Sequence, residues 1–308
     1  MRVLVTGGAG FIGSHLVDGL LAEGHDVAVA DNLATGRRES VASAARFFQV
    51  DVRDPELGAL LERERPEVVL HHAAQTMVRV STEDPLYDAD VNVRGLLNLL
   101  TACVQHGVRK VVFASSGGTV YGTCETLPIT EDQPFRPESP YGITKTAGEY
   151  YLRYFSDSFG LRFTALRYAN VYGPRDHVSS EHVITVFAET LLAGGAPIIH
   201  WDGEQAKDYV YVEDVVRANL LCLNRGDGEA YNIGSGQPVS VNTLYAMISV
   251  LLGQQHVIPV HGPKRLGDVR LFYFDCGKAK RELGWAPGVS LHEGLHRTLR
   301  WYAGRGSG

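Results

Sequence analysis

Apolar and polar positions along this chain alternate between two periods. Val3-Leu4-Val5 is a short continuous apolar run, the pattern of a strand buried on both faces. Ile12, Leu16, Val17, Leu20 and Leu21 then recur at helical spacing. Residues 27–30 form a second run ending at Asp31, and residues 47–50 a third ending at Asp51. Residues 67–70 form a fourth, opening onto His71-His72-Ala73-Ala74-Gln75. A long helix is predicted beyond Pro85, with Leu86, Ala89, Val93, Leu96, Leu97 and Leu100 along one side. Residues 110–114 predict a fifth strand, ending in Ser115-Ser116-Gly117-Gly118-Thr119. A helix from Pro140 to about Phe159 and a sixth strand over 162–166 follow. This alternation predicts an α/β fold, a doubly wound parallel sheet with helices on both faces. Ligands of such sheets bind at the carboxyl ends of the strands, where Asp31, Asp51, Ala73-Ala74 and Ser115-Ser116 fall.

After Asn170 the pattern changes. Loops lengthen around Gly173-Pro174, Gly194-Gly195, 201–203 and 263–265, and the helices predicted over 181–193, 215–224, 241–252 and 291–302 are fewer. The expected division is a dinucleotide-type domain over 1–170, a smaller substrate lobe over 171–302, and a disordered tail over 303–308. Residues 208–212 alternate like a strand, with Asp214 placed to N-cap the next helix. The segment 208–232 is expected to return to the first domain.

Composition narrows the function. The net charge is −6 with no block of Lys or Arg, which argues against nucleic acid and anionic membrane as partners. No apolar run approaches a membrane span. Cys103, Cys124, Cys222 and Cys276 are far apart and lack metal-ligand spacing, and the chain opens directly on a strand rather than a secretory leader. A reduced, cytoplasmic protein is the expectation. His71-His72 has no Cys or carboxylate neighbour in sequence, so no metal site is expected.

The candidate chemistry has two parts. Gly7, Gly10 and Gly13 join the first strand to the first helix, and Asp31 stands about 20 residues on at the end of the next strand. Gly7 serves the tight turn, Gly10 lets backbone amides approach a pyrophosphate, and Gly13 lets helix and strand pack closely. Asp31 is placed to accept ribose hydroxyls and to repel a 2′-phosphate, which selects NAD although Arg37 and Arg38 follow in the loop. The second part is Tyr141 and Lys145, four residues apart and so on one helical face. A lysine ammonium beside the phenol is expected to draw its pKa from about 10 towards neutrality. Such a phenolate takes a proton from a sugar or alcohol hydroxyl. Ser115, Ser116 or Thr119 is placed to hydrogen-bond the same oxygen.

Several motifs in this order resemble the extended short-chain dehydrogenase/reductase family. They are Thr6–Gly13, Asp31-Asn32-Leu33, Asp51-Val52, His72-Ala73-Ala74, Val91-Asn92-Val93, Ser115-Ser116, Tyr141–Lys145 and Arg167–Pro174. Within that family the likeness is nearest to the nucleotide-sugar 4-epimerases. It implies a Rossmann-like sheet with a smaller C-terminal substrate lobe. It also implies a tightly held NAD that is reduced and reoxidised in one turnover, and a UDP-sugar substrate such as UDP-glucose or UDP-galactose. Gly7, Gly10, Phe11, Ile12 and Gly36 would line the dinucleotide. Asp31 and Asn32 would take the adenosine ribose, and Asp51 and Val52 would flank adenine. Ala73, Ala74, Gln75 and Asn92 would complete the cofactor site, with Lys145 on the nicotinamide ribose. Asn170 would meet the substrate diphosphate. The helices after Pro85 and Pro140 would pair with a second copy as a four-helix bundle, giving a homodimer. Other readings are 4-epimerisation of UDP-glucuronate or a UDP-N-acetylhexosamine, or a non-catalytic NAD-sensing regulator, which has no need of Tyr141 and Lys145 together.

The chain also departs from the family pattern. Gly117 stands where relatives often carry the catalytic Ser or Thr, so Ser116 takes that role, with Ser115 and Thr119 as alternatives. The Thr-Asp-Glu stretch of the sugar dehydratases is missing. Lys207 stands where relatives usually have a phosphate-binding arginine, supplying charge without the bidentate fork. Arg265 keeps the family's other basic contact and Arg270 is a further candidate. His200 and Trp201 are placed to flank the uracil. Phe272, four residues beyond Asp268, reaches the gate of the sugar pocket, where a bulky ring goes with plain hexoses.

Overall fold

Buried apolar runs that cannot face water on either side become the strands of a central sheet. The computed structural model describes residues 1–264 and 269–305. Its strands are β1 (Arg2–Thr6), β2 (Asp26–Asp31), β3 (Arg46–Gln49), β4 (Val68–His71), β5 (Lys110–Ser116), β6 (Arg162–Tyr168), β7 (Asn170–Tyr172), β8 (Ile198–His200), β9 (Ala206–Tyr211), β10 (Glu229–Ile233), β11 (Pro238–Ser240), β12 (Val260–Gly262) and β13 (Leu271–Phe272). Seven of them form one sheet in the order β10-β6-β5-β4-β1-β2-β3, parallel throughout. The order reverses at β1, beside β4, which opens a crevice at their carboxyl ends. Side chains alternate between faces. Val3 and Val5 pack with Leu16, Val17 and Leu20 on one side, while Leu4 packs with Leu57, Leu96, Leu99 and Phe113 on the other. A third core, including Tyr172, Phe187, Leu244 and Leu295, belongs to the C-terminal part.

That part is built on a four-stranded sheet in which β9 pairs with β7, β11 and β13. Thus β9 stays in the smaller sheet, and the chain rejoins the large one through the Val212–Cys222 helix and β10. Asp214 does not cap that helix, which follows Tyr211 directly. Its carboxylate is buried and accepts the N–H groups of Gly288 and Val289 and a guanidinium hydrogen from Arg217. The final helix, Leu291–Arg305, runs through the first three residues of the expected tail, and 306–308 lie outside the described residues.

The helix beyond Pro85 is not continuous. Val78–Glu83 and Pro85–Ala89 precede a π-turn at Asp90–Arg94, and Gly95–Gln105 continues from it. The wider turn rotates the apolar face, so Leu86 is 82% exposed while Leu96, Leu99 and Leu100 are buried.

Candidate active site

The cofactor side of the crevice is made by close backbone approach. Gly7 sits at φ +70, and a Cβ there would lie 2.5 Å from the Ala73 amide nitrogen. A Cβ on Gly13 would fall 2.1 Å from the Gly7 carbonyl oxygen. The Phe11–Ala22 helix starts from Gly10 with no side-chain cap, leaving its first-turn amides available to an anion. Phe11 and Ile12 are half-buried at this end, and Gly36 closes over Ala9, where a Cβ would meet it at 2.9 Å. These features fit a dinucleotide pyrophosphate.

Asp31 accepts the Ala9 and Leu33 amides at 2.9 and 2.8 Å. Burial raises its pKa, and these two bonds work against that rise. Asn32 donates to Asp51 at 2.7 Å, and Asp51 is also gripped by the Arg53 guanidinium, which holds its carboxyl well below the usual range. Val52 is buried beneath the Gly95 turn. Ala73 and Ala74 are half-buried at the end of β4. Next to them the Gln75 amide donates to the Asn92 side chain, and that side chain donates back to the Gln75 carbonyl, each at 2.9 Å.

The Pro140–Phe159 helix is set by Ser139, whose hydroxyl caps Gly142, with Pro140 in its first turn. It presents Tyr141 and Lys145 to the end of β5. Of the three hydroxyls named from the sequence, Ser116 is the one whose influence reaches the Tyr141 phenol, working to lower its pKa. Ser115 donates to Glu149 at 2.6 Å and Thr119 to the Ser116 carbonyl at 3.3 Å. Lys145 is 5% exposed; its ammonium donates to the Ala114 carbonyl at 2.9 Å and stands 5.7 Å from the Tyr141 ring centroid. Burial pulls Lys145 down to about 8, opposed by the charge of Asp88. The expected lowering of the phenol does not occur in this structure. Burial raises the Tyr141 pKa, Ser116 works against the rise, and Asp88 adds to it. The lysine spends a hydrogen bond on a backbone carbonyl and lies over the ring.

Behind this face lies a buried network that the sequence reading missed. Arg167 holds Glu149 through its Nε and one terminal nitrogen, Nη2, the shortest contact being 2.7 Å. Arg167 also donates to the Tyr121 hydroxyl, which donates to Asn232 at 2.8 Å. Glu149 is one helical turn beyond Lys145, so extending the Tyr141–Lys145 stripe by four residues would have found it.

The sugar side is drawn from distant segments. Lys207 of β9 is in register with Phe272 of β13. Phe272 is 5% exposed and meets Phe274 edge-on at 4.8 Å. The Phe274 ring tip lies 2.0 Å from where a Gly117 Cβ would be, and Phe272 is 3.9 Å from the same point on Gly118. The glycine pair is therefore the partner of these two rings. Asn170 donates to the Asp208 carbonyl at 2.9 Å and lines a small cleft of about 40 Å³ with Tyr172, His182, Ile184 and Tyr209. Arg270 is paired with Asp202, which accepts two bonds from it at 2.7 and 2.8 Å, and its guanidinium lies 4.8 Å from the Trp201 ring centroid. Lys264 approaches the same ring at 4.1 Å. Arg265 lies outside the described residues.

Residues 3–234 match the NAD dependent epimerase/dehydratase family. The chain belongs to that family. It is 44% identical over 309 residues to the UDP-glucose 4-epimerase of Mycolicibacterium smegmatis, covering 98% of each. Its structure superposes at a TM-score of 0.97 on the UDP-glucose 4-epimerase of Thermotoga maritima solved with UDP-glucose, with 45% identity and 99% of each chain covered. The UDP-glucose 4-epimerase of Thermus thermophilus, solved in complex with NAD, superposes at 0.93 with 43% identity over 100% of each chain. The NAD dependence of the family accords with the glycine turn and with Asp31. Among the described residues no helix is long and apolar enough to cross a membrane.

Proposed function

We propose that this chain interconverts the C4 epimers of a UDP-hexose, UDP-glucose and UDP-galactose, through a 4-keto sugar. The observation that carries the reading is the buried Tyr141–Lys145 pair on one helical face, with the Lys145 ammonium on the Ala114 carbonyl and 5.7 Å from the Tyr141 ring, at the Ser116 end of the strand next to the dinucleotide crevice. Gly7, Gly10, Asp31 and the Ala73–Gln75 turn would hold NAD, with Lys145 on the ribose beside the reacting carbon. When bound, NAD supplies a reversible hydride acceptor and a positive charge close to the phenol. Tyr141 takes the proton from the C4 hydroxyl and returns it after the sugar has turned over, acting as base and then acid on one oxygen. Ser116 hydrogen-bonds the same oxygen and keeps it aimed at the phenol. Asn170, Lys207 and Arg265 take the diphosphate, and Phe272 limits the space beside the sugar.

In this reading residues 1–170 with β10 form the NAD domain, and 171–302 otherwise form the UDP-sugar lobe. We place the protein in the cytoplasm and read it as a homodimer. Leu86, Ile143, Tyr150, Tyr154 and Phe159 are exposed on neighbouring helices, Tyr150 to 65%, and a second copy covers them as a four-helix bundle. The test is to incubate the purified protein with UDP-galactose, UDP-N-acetylgalactosamine and UDP-galacturonate in turn and to identify products. Conversion of UDP-galactose to UDP-glucose is expected, and NAD rather than NADP should be released on denaturation. Conversion of another sugar alone moves the assignment to that sugar. Bound NAD with no conversion of any of them makes the protein a sensor.

A further inference from the structure

One fully buried carboxylate close to the Tyr141–Lys145 face has no role in the reading above. Asp88, in the short Pro85–Ala89 helix, has no exposed surface. One of its oxygens accepts the Gln75 side-chain amide at 2.6 Å and the Asn92 amide at 3.1 Å; the other accepts the Thr144 hydroxyl at 2.8 Å. These donors come from three places: the turn after β4, the π-turn at Asp90–Arg94, and the helix that carries Tyr141 and Lys145. All three are neutral. A buried carboxylate costs several kcal/mol unless its oxygens are well bonded, and three neutral donors do not by themselves require a charge. The π-turn that carries Asn92 begins two residues beyond Asp88, a distortion found disproportionately at functional sites.

We propose that Asp88 is a positioning residue of the active site, locking the Gln75 turn and the Asn92 amide to Thr144 and serving as the negative charge that faces the Tyr141–Lys145 pair. Its kinetic readout rests on the epimerase reading. Lys145 sits on the Ala114 carbonyl at 2.9 Å, 4.9 Å from the Phe113 ring of β5 and 5.7 Å from the Tyr141 ring of its own helix, and the titratable groups that interact with it are His71 and His72 at the end of β4 and Asp88. Burial keeps both histidines neutral, their pKa values pulled down to about 3. Among the described residues, Asp88 is therefore the carboxylate that acts on Lys145. The same charge opposes phenolate formation at Tyr141, whose other polar neighbour is Ser116. Asp88 thus holds Lys145 protonated and restrains Tyr141 from ionising early.

Asp88→Asn in the NAD-loaded protein tests this. It removes the charge and turns one acceptor into a donor facing donors. We expect kcat to fall about tenfold to hundredfold through misplacement of the catalytic face, with KM within about twofold of the parent. The pH dependence separates the role from a structural one. Without the negative charge, Tyr141 ionises at lower pH and Lys145 loses its proton at lower pH, so both limbs of the kcat profile move down. Phenolate absorbance of the holoprotein, read as a difference from Tyr141→Phe, moves the same way. Unmoved limbs and phenolate midpoint would overturn the proposal even with kcat reduced, and so would an unchanged kcat. Thr144→Val removes one donor and keeps the charge. It carries the test if Asp88→Asn does not fold, lowering kcat with both limbs in place, and equal kcat there overturns the proposal. The phenolate titration needs no sugar, so a parent that converts no UDP-hexose overturns the epimerase reading alone.

Discussion

The two walls of the active-site cleft are built differently. On the cofactor wall most functional groups are delivered by a strand end, the turn after it or the start of a helix, around a seven-stranded sheet whose central strands are buried on both faces. On the sugar wall the groups come from β7, β9, β13 and the loops around Trp201 and Lys264, held by cross-chain contacts such as Asp202–Arg270 and Phe274 over Gly117. The first wall is set by local geometry and, in the proposed reading, carries the reaction. The second is set by long-range packing and, in the same reading, selects the substrate. Changes on the first should strike rate, and changes on the second should strike the choice of sugar.

Tyr141→Phe gives the largest expected effect. Losing one hydroxyl should lower kcat about 10²–10⁴-fold, the typical worth of a general base, with bound NAD retained. Stopped-time product analysis checks it, and a variant that keeps most of its rate would remove the chemistry from the cofactor wall. Glu149→Ala strips the partner from a buried guanidinium and should cost about 3–5 kcal/mol of folding stability. Denaturant unfolding measures this, and a loss below about 1 kcal/mol would show the network to be dispensable. On the other wall, Phe272→Ser empties a buried site beside Phe274 and should cost about 3–5 kcal/mol of stability, while UDP-galactose turnover stays much closer to the parent. It should narrow the preference over UDP-N-acetylgalactosamine by about tenfold to hundredfold, since overpacking the acetamido group costs roughly 1–3 kcal/mol. An unchanged ratio of kcat/KM values would show that the ring only fills the core beside Phe274.

The smallest effect is a pH slope that belongs to the cofactor wall. His71 is buried against Thr6, and burial pulls its pKa down to about 3. In the unfolded chain it takes a proton near 6.5. Between these values the unfolded state binds more protons, so stability falls as the pH drops from about 6.5 towards 3. The slope from this group is at most about 1.4 kcal/mol per pH unit. Unfolding of His71→Asn should show a correspondingly shallower decline below about 6.5.

The cofactor wall was legible in the sequence because its signals are short-range. The glycines after Val5, the carboxylate at the end of β2 and the i, i+4 pair on the Pro140–Phe159 helix each fall within one element or one turn. The sequence favoured Ser116 but left Ser115 and Thr119 open; what sets those two apart is three-dimensional, because Glu149 and the Ser116 carbonyl accept their hydroxyls. The departure at Gly117 could be seen in the sequence but its reason could not, since the ring that requires it comes from Phe274. The π-turn at Asp90–Arg94 hid the exposure of Leu86, because an extra residue in one turn is invisible to a periodicity of 3.6. The pairing of Arg270 with Asp202 spans a distance in sequence that no local pattern encodes.

The central claim is that Tyr141 moves a proton at C4 while the C4 hydrogen never leaves the site. The direct measurement is to supply UDP-galactose deuterated at C4, in ordinary water, and to examine the UDP-glucose formed by mass spectrometry and proton NMR. Epimerisation at this site predicts product that keeps its deuterium at C4. UDP-glucose that carries solvent hydrogen at C4 would contradict the account, as would the absence of conversion.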